Sequence, residues 1–263
     1  MKIHPLIIVS FIFCCSLFSE DAFQEITEEE KAHIEYVFDY LFKFDEFSYT
    51  LYGDKPLSFE HINTSNVNHL SLIRYCALFS YKKPVNFLEV SWNIWKSKFG
   101  NIKFKNYLFF DKENTHYKTI ILINKQAFYR VYEKNKNLFK EVLGHYITAD
   151  MLLKRLTSHE LNLMEALNHH QGLLGILLGY GTHNSLLFYN KKLLFHEIES
   201  KKLQGINPYF YWISLIQPVR FLGDVNHPET IQLMNKYEAV NTKVAKIFKE
   251  EDWVDAIISK LKE

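Results

Sequence analysis

Apolar residues recur at helical spacing along most of this chain, beginning near its N-terminus. Ile34, Val37, Phe38 and Leu41 fall on one face of a helix. The segment Thr27–Glu30 reads Thr-Glu-Glu-Glu, the pattern of a capping box that satisfies free backbone amides at a helix start. These positions predict an amphipathic helix that begins just after Thr27.

Later segments repeat this spacing. Four such segments follow, each with its apolar residues on one helical face. The first has Val85, Leu88, Trp92, Trp95 and Phe99, and the second has Phe128, Val131, Leu138 and Val142. The third has Ile231, Met234, Tyr237, Val244 and Ile247, and the fourth has Trp253, Ile257 and Leu261. The second of these sets predicts one continuous helix from about residue 125 to 143.

Residues that favour helix ends mark the limits of these segments. Gly100 follows the segment that ends at Phe99, at a position where a residue in the left-handed conformation is expected to cap the helix. Gly144 is expected to end the helix predicted over residues 125–143. Thr157 with Glu160 suggests a second capping box, and Pro228 suits a first helical turn.

Strand patterns are fewer and lie in the first half of the chain. Ile102–Phe110 alternates apolar and polar residues, and Tyr117–Ile123 is short and β-branched, with a turn expected at Asp111–Asn114. Phe47–Tyr52 and Leu57–Ile62 flank a Gly-Asp-Lys-Pro sequence that predicts a second hairpin. No strand is expected after about residue 143. The pattern predicts an α+β fold, predominantly helical, with helices packed around a small antiparallel sheet.

Length and composition fit one globular domain over residues 20–263, with an N-terminal α/β part to about 143 and a helical part after it. Hydrophobic residues make up 48% of the 263, enough for a core without metals or disulfides. The balance of 31 basic and 30 acidic residues gives no electrostatic footprint for nucleic acid. No cofactor is predicted, and a protein partner is left open.

The first nineteen residues have the pattern of a signal peptide. Lys2 precedes a short apolar run, Leu6–Phe13, which small residues and then Glu20 follow. The pattern predicts export to the periplasm or the medium, with no transmembrane span in the remaining chain. Cys15 is a candidate lipidation site, which would make the protein an outer-membrane lipoprotein. Beyond the leader only Cys76 remains, so no internal disulfide is expected.

Four of the nine glycines lie within ten residues, between Gly172 and Gly181. One interpretation is structural: Gly172, Gly175 and Gly179 would let another element approach closely. The alternative is a loop whose amides bind an anion or a carbonyl group at the start of the next helix. The candidate ligand-binding residues are then Gly179, Tyr180, Gly181 and Thr182.

Histidines supply the candidates for chemistry. Glu165 and His169 are four residues apart and would share a helix face, but the chain has no His-Glu-x-x-His pattern, and no metal site is predicted. His183 and Asn184 follow the glycines. No Gly-x-Ser-x-Gly elbow supports Ser185 as a nucleophile.

Two short stretches, Leu51–Phe59 (LYGDKPLSF) and Gly175–Gly181 (GILLGYG), resemble uncharacterised exported proteins of chlamydia-like intracellular bacteria. The resemblance covers about a sixteenth of the chain. It implies a location in the envelope of a Gram-negative cell or outside it. It implies no activity and no catalytic residues.

Three functions therefore stand as hypotheses. The first is an exported, non-enzymatic binding or interaction module. The second is a small hydrolase or transferase that uses His183, Asn184 and the glycine-rich loop, with Glu165 or His169. It requires these side chains to converge on one pocket. The third is a lipid-anchored envelope protein, attached through Cys15.

Overall fold

Helices dominate the computed structural model, which describes residues 26–63, 87–114, 117–190, 196–199 (backbone only), 216–250 and 252–263. The helices are α1 (Glu28–Phe38), α2 (Phe47–Tyr52), α3 (Phe87–Phe99), α4 (Lys125–Lys134), α5 (Lys136–Leu143), α6 (Ala149–Thr157), α7 (Leu163–Ala166), α8 (Gln171–Leu177), α9 (Thr182–Tyr189), α10 (Pro228–Ile247) and α11 (Trp253–Lys262). A π-helical turn, Asp39–Lys43, extends α1.

Among the described residues, five strands form two antiparallel sheets. The strands are β1 (Leu57–Asn63), β2 (Tyr107–Glu113), β3 (Tyr117–Asn124), β4 (His196–Glu199) and β5 (Arg220–Gly223). The larger sheet has the order β1-β3-β2, and β4 pairs with β5 in the smaller one. The predicted α+β fold, mostly helical around a small antiparallel sheet, is confirmed.

Strand β3 is the centre of the fold because both of its faces are covered. Ile120 and Leu122 pack on one side with α1, α3 and α11. Ile121 and Ile123 point the opposite way and pack with α4 to α8. Side chains alternate across a strand, so an unbroken apolar run is what a strand buried on both faces requires.

A third apolar cluster joins α2, β5 and α10. Tyr49, Phe221, Tyr237 and Val244 are its main members. Tyr49 and Tyr237 meet edge to face, with ring centroids 5.6 Å apart. This cluster fixes β5 beside α10, close to the glycine-rich segment.

Several sequence predictions are confirmed. The Thr27–Glu30 capping box is present, and Ile34, Val37 and Phe38 are buried. Gly144 ends α5 with φ of 107°, and Pro228 occupies the first turn of α10. Strands β2 and β3 pair as expected.

The hairpin predicted from Phe47–Tyr52 and Leu57–Ile62 is wrong in its first arm, which is helix α2. Residues Phe47 to Leu51 are all buried. The alternation of polar and apolar residues in this segment therefore does not mark a strand with one face in solvent. Ser48 and Thr50 bond inward, Thr50 to Ser58 Oγ at 2.8 Å. Burial on every side therefore overrode the β propensity of these residues.

The turn predicted at Asp111–Asn114 lies further along the chain, because β2 continues to Glu113. Asp111 is buried and pairs with Lys96 across 2.8 Å. Lys112 is buried beside a cavity on the opposite side of the sheet. Asp111 and Lys112, whose residue types suggested a turn, are thus kept in the strand by contacts with distant residues.

Three predicted helix boundaries are also corrected. The helix expected over residues 125–143 breaks at Asn135, whose Oδ1 accepts a hydrogen bond from Thr182 Oγ1 at 2.6 Å. Gly100 follows α3 without a positive φ. Thr157 ends α6, and the capping box that follows is formed by Asn162 and Glu165.

The expectation of no strand after residue 143 is wrong, since β4 and β5 form there. Each has four residues, too few for a clear alternation. In the part of the chain that the structure describes, no helix combines the length and hydrophobicity of a membrane span. The predicted leader, Cys15 and Cys76 lie outside the described residues.

Candidate functional site

The glycine-rich segment folds into two short helices that pack tightly against each other. Helices α8 and α9 are joined by a turn in which Gly179 and Gly181 adopt φ of 78° and 84°. At Gly175 an added Cβ would lie 2.7 Å from Ser185 Oγ, so only glycine allows α9 to approach α8 this closely. This agrees with the structural interpretation of the glycine cluster.

The loop does bind an anionic group, but that group belongs to the protein. The amide of His183 donates to Glu229 Oε2 at 2.8 Å, and Lys134 pairs with Glu229 Oε1 at 2.7 Å. Burial alone would raise the pKa of Glu229. Lys134 and the amides of His183 and Thr182 outweigh burial, so its pKa is lowered. The side chain of Glu229 thus takes the position that the sequence suggested for a ligand.

His183 and Asn184 are each engaged with other residues of the protein rather than with each other. The ring of His183 stacks on His227 with centroids 3.6 Å apart, and its Nε2 lies 3.6 Å from Asp224 Oδ2, beyond hydrogen-bond distance. Asn184 is buried, and it bonds to Tyr180 O, Thr230 Oγ1 and the amide of Asp224. Asn184 therefore ties α9 to β5 and α10.

Glu165 and His169 do not share a helix face, because α7 ends at Ala166. Glu165 closes the capping box of α7 by accepting from the amide of Asn162 at 2.7 Å. His169 is exposed and has φ of 58°, a left-handed conformation outside any helix. Both residues line a cavity different from the one beside Asn184.

An apolar cleft of about 330 Å³ lies between α8, α9 and β5. It is lined by Met164, Gln171, Leu174, Gly175, Leu178, Tyr180, Asn184, Ser185, Phe188, Phe221 and Leu222, and we call it the apolar cleft. Tyr180 and Phe221 stack along it, with centroids 5.2 Å apart and rings inclined by 13°. Ser185 Oγ donates to Gly181 O at 2.6 Å, so its hydroxyl proton is already used.

A larger cavity of about 530 Å³, which we call the polar cavity, lies between the hairpin β2–β3 and α7. Its charged and titratable lining residues are His61, Lys112, Glu113, Tyr117, His159, Glu160, Glu165 and His169. His61 Nδ1 is 2.9 Å from Thr119 Oγ1, and burial lowers the pKa of His61. Among the described residues, no group of three His, Cys, Asp or Glu has the arrangement of a metal site.

Gly179, Gly181 and Thr182 line a third and smaller cavity, of about 200 Å³, together with Glu229. The candidate residues other than His183, which lines none of these cavities, are therefore distributed over three of them. Tyr180 and Asn184 contact the apolar cleft, and Glu165 and His169 the polar cavity. The structure therefore does not bring Glu165 or His169 into the cavity that Asn184 lines.

Sequence reasoning missed the residues that join the two larger cavities. Met164 and Leu174 line both the apolar cleft and the polar cavity. Both are apolar residue types that usually occupy the core, and nothing in the sequence distinguishes a wall shared by two cavities from ordinary packing. Lys112 was missed because its sequence neighbours suggested a turn.

The fold and these cavities define a helix-rich α+β protein with two adjoining cavities, both within the range of ligand pockets. No family model, curated protein or solved structure matches the chain. The resemblance to exported proteins of chlamydia-like bacteria stays a prediction.

Proposed function

We propose that the protein is an exported, non-enzymatic binding module that holds the apolar part of a small ligand in the apolar cleft. The observation that carries the proposal is the chemistry of this cleft. Apart from the exposed Gln171, its walls are hydrocarbon and aromatic rings, and the polar side chains of Asn184 and Ser185 are engaged with the protein itself. Such a surface favours an apolar ligand group, since a polar group there would lose hydrogen bonds to water.

The placement of the candidate catalytic residues favours binding over hydrolysis or group transfer. His183 stacks on a second imidazole, and Asn184 uses its amide in structural bonds. Ser185 donates to a backbone carbonyl, so His183 is not positioned to take its proton. Asn184 and Ser185 thus form part of the wall of the cleft.

The binding proposal is tested with an uncharged alkyl ligand. We expect 1-dodecanol to displace the fluorophore Nile red from the purified protein. Leu222→Gln is expected to weaken dodecanol binding about 10-fold, because the ligand loses the apolar contact of one side chain. Leu222 is 42% exposed, so the change should leave the melting temperature nearly unaltered.

Ile231→Gln is the matched control, since Ile231 is 47% exposed on α10 and does not line the cleft. Its affinity for dodecanol should equal that of the unaltered protein. Equal affinities for all three proteins would show that the alkyl chain binds elsewhere and would overturn the proposal.

Export is tested separately. When the full chain is expressed in a Gram-negative host, we expect it in the periplasm or medium, with an N-terminus near residue 20. Ile8→Asp, which interrupts the apolar run of the leader, should leave the precursor in the cytosol. N-terminal sequencing of each fraction gives the result.

Recovery of the unaltered chain from the cytosol with Met1 attached would contradict export. A fatty-acid label that is lost on Cys15→Ala would indicate the lipid anchor.

A further inference from the structure

Lys112 is a buried lysine with an unusual set of partners. It lies on β2, is 8% exposed, and lines the polar cavity. Its Nζ donates to the backbone carbonyl of Leu161 at 2.6 Å. Within the described part of the chain it forms no ion pair, whereas the other two buried lysines do: Lys55 with Glu46 at 2.6 Å and Lys118 with Glu89 at 3.5 Å.

An ammonium group removed from water without a counter-ion is unfavourable in a folded protein. Burial accordingly lowers the pKa of Lys112, and the nearby charge of Glu165 acts in the opposite direction. Glu165 Oε2 already accepts from the amide of Asn162. An anionic group in the polar cavity would pair with Lys112 in surroundings of low dielectric, where such a pair is strong.

None of the other charged groups that line the cavity competes with Lys112 as the binding residue for an anion. Glu113 and Glu160 are exposed, so their charges are screened by solvent, and Glu165 is bound to its own helix. His61, His159 and His169 add positive charge only when they are protonated. Lys112 is the one buried cation among the lining residues.

The polar cavity and the apolar cleft are adjacent, with Met164 and Leu174 as common walls. Methionine is unbranched and adapts its shape easily, so a wall that contains one can accommodate a chain that passes it. A charged wall on one side and an apolar cleft on the other are complementary to a molecule with two chemically different ends.

We infer that the ligand is a single-chain amphiphile with an anionic head, held by Lys112 in the polar cavity, with its alkyl chain passing Met164 and Leu174 into the apolar cleft. The inference rests on the proposed function of the apolar cleft and adds the head group and its binding residue. A free fatty acid and a lipid with one chain and an acidic head share this chemistry.

Dodecanoate and 1-dodecanol, which differ only in their head groups, are the probes that test it. We expect the unaltered protein to bind dodecanoate at least about 10-fold more tightly, since its carboxylate would pair with a buried ammonium group that otherwise has no counter-ion among the described residues. Lys112→Met should remove this preference and leave dodecanol affinity unchanged. Lys112→Arg should retain most of it, and Lys154→Met, at an exposed lysine that does not line the polar cavity, should retain all of it.

The outcomes separate this inference from the proposed function. If dodecanoate binds no tighter than dodecanol, or if Lys112→Met weakens both probes equally, the head-group site is overturned while the apolar cleft stands. If neither probe binds, both proposals fail. Near-ultraviolet circular dichroism checks that each variant folds. Should Lys112→Met not fold, the comparison of the two probes on the unaltered protein and on Lys112→Arg decides.

Discussion

Lys55→Met is expected to lower the free energy of unfolding by about 3–5 kcal/mol, the usual cost of removing one partner of a buried ion pair. Lys55 is 1% exposed, and its Nζ lies 2.6 Å from Glu46 Oε2 and 3.0 Å from Ser58 Oγ. Methionine fills a similar volume but leaves the carboxylate of Glu46 in a largely buried position without its cation. Urea unfolding followed by circular dichroism measures the change.

The double variant Lys55→Met with Glu46→Gln provides the control. Glutamine removes the uncompensated charge and keeps an oxygen for the amide of Arg220, which now donates to Glu46 Oε1 at 3.1 Å. We expect more than half of the lost stability to return. A single variant that costs less than about 1 kcal/mol, the range of exposed pairs, would mean that solvent reaches this ion pair.

Gly179→Ala, in the turn between α8 and α9, is expected to cost about 2–5 kcal/mol through a backbone and a packing contribution. Its φ of 78° is unfavourable for alanine, which contributes about 1–2 kcal/mol. The added Cβ would also lie 2.3 Å from the hydroxyl of Tyr237, which donates to Gly179 O at 2.6 Å in the core. Loss of that buried bond supplies about 1–3 kcal/mol more.

Gly144→Ala is the matched control, because Gly144 has φ of 107° and an added Cβ would meet no atom within 4 Å. It carries a backbone penalty without the collision, so we expect a cost of about 1–3 kcal/mol. Thermal and urea unfolding of both variants give the comparison. Equal losses would mean that Tyr237 moves aside without cost and that the turn is not tightly packed.

The glycine-rich segment is part of the scaffold of the apolar cleft. Gly175 allows the contact of α8 with α9, and Gly179 allows the contact with α10. The cleft lies along the same two short helices. The shape of the cleft therefore depends on glycines of the segment that the sequence suggested as an anion-binding loop.

The sequence alone determined the elements whose pattern is local. Thr27 and Glu30 form a capping box through groups three residues apart, and Gly144 ends a helix through its own backbone freedom. The short β-branched run of β3 predicted a strand, because such side chains suit a pleated surface. In each case the determining interactions lie within one segment of the chain.

Tertiary structure alone decided the rest, because the determining groups are distant in sequence. Phe47–Tyr52 became a helix through burial on all sides, and Asp111 remained in a strand through its ion pair with Lys96. The common walls at Met164 and Leu174, and the pairing of Glu229 with the amide of His183, arise only when separate elements pack together. Composition and spacing do not predict such contacts, so the cavities and their chemistry became apparent only in the folded chain.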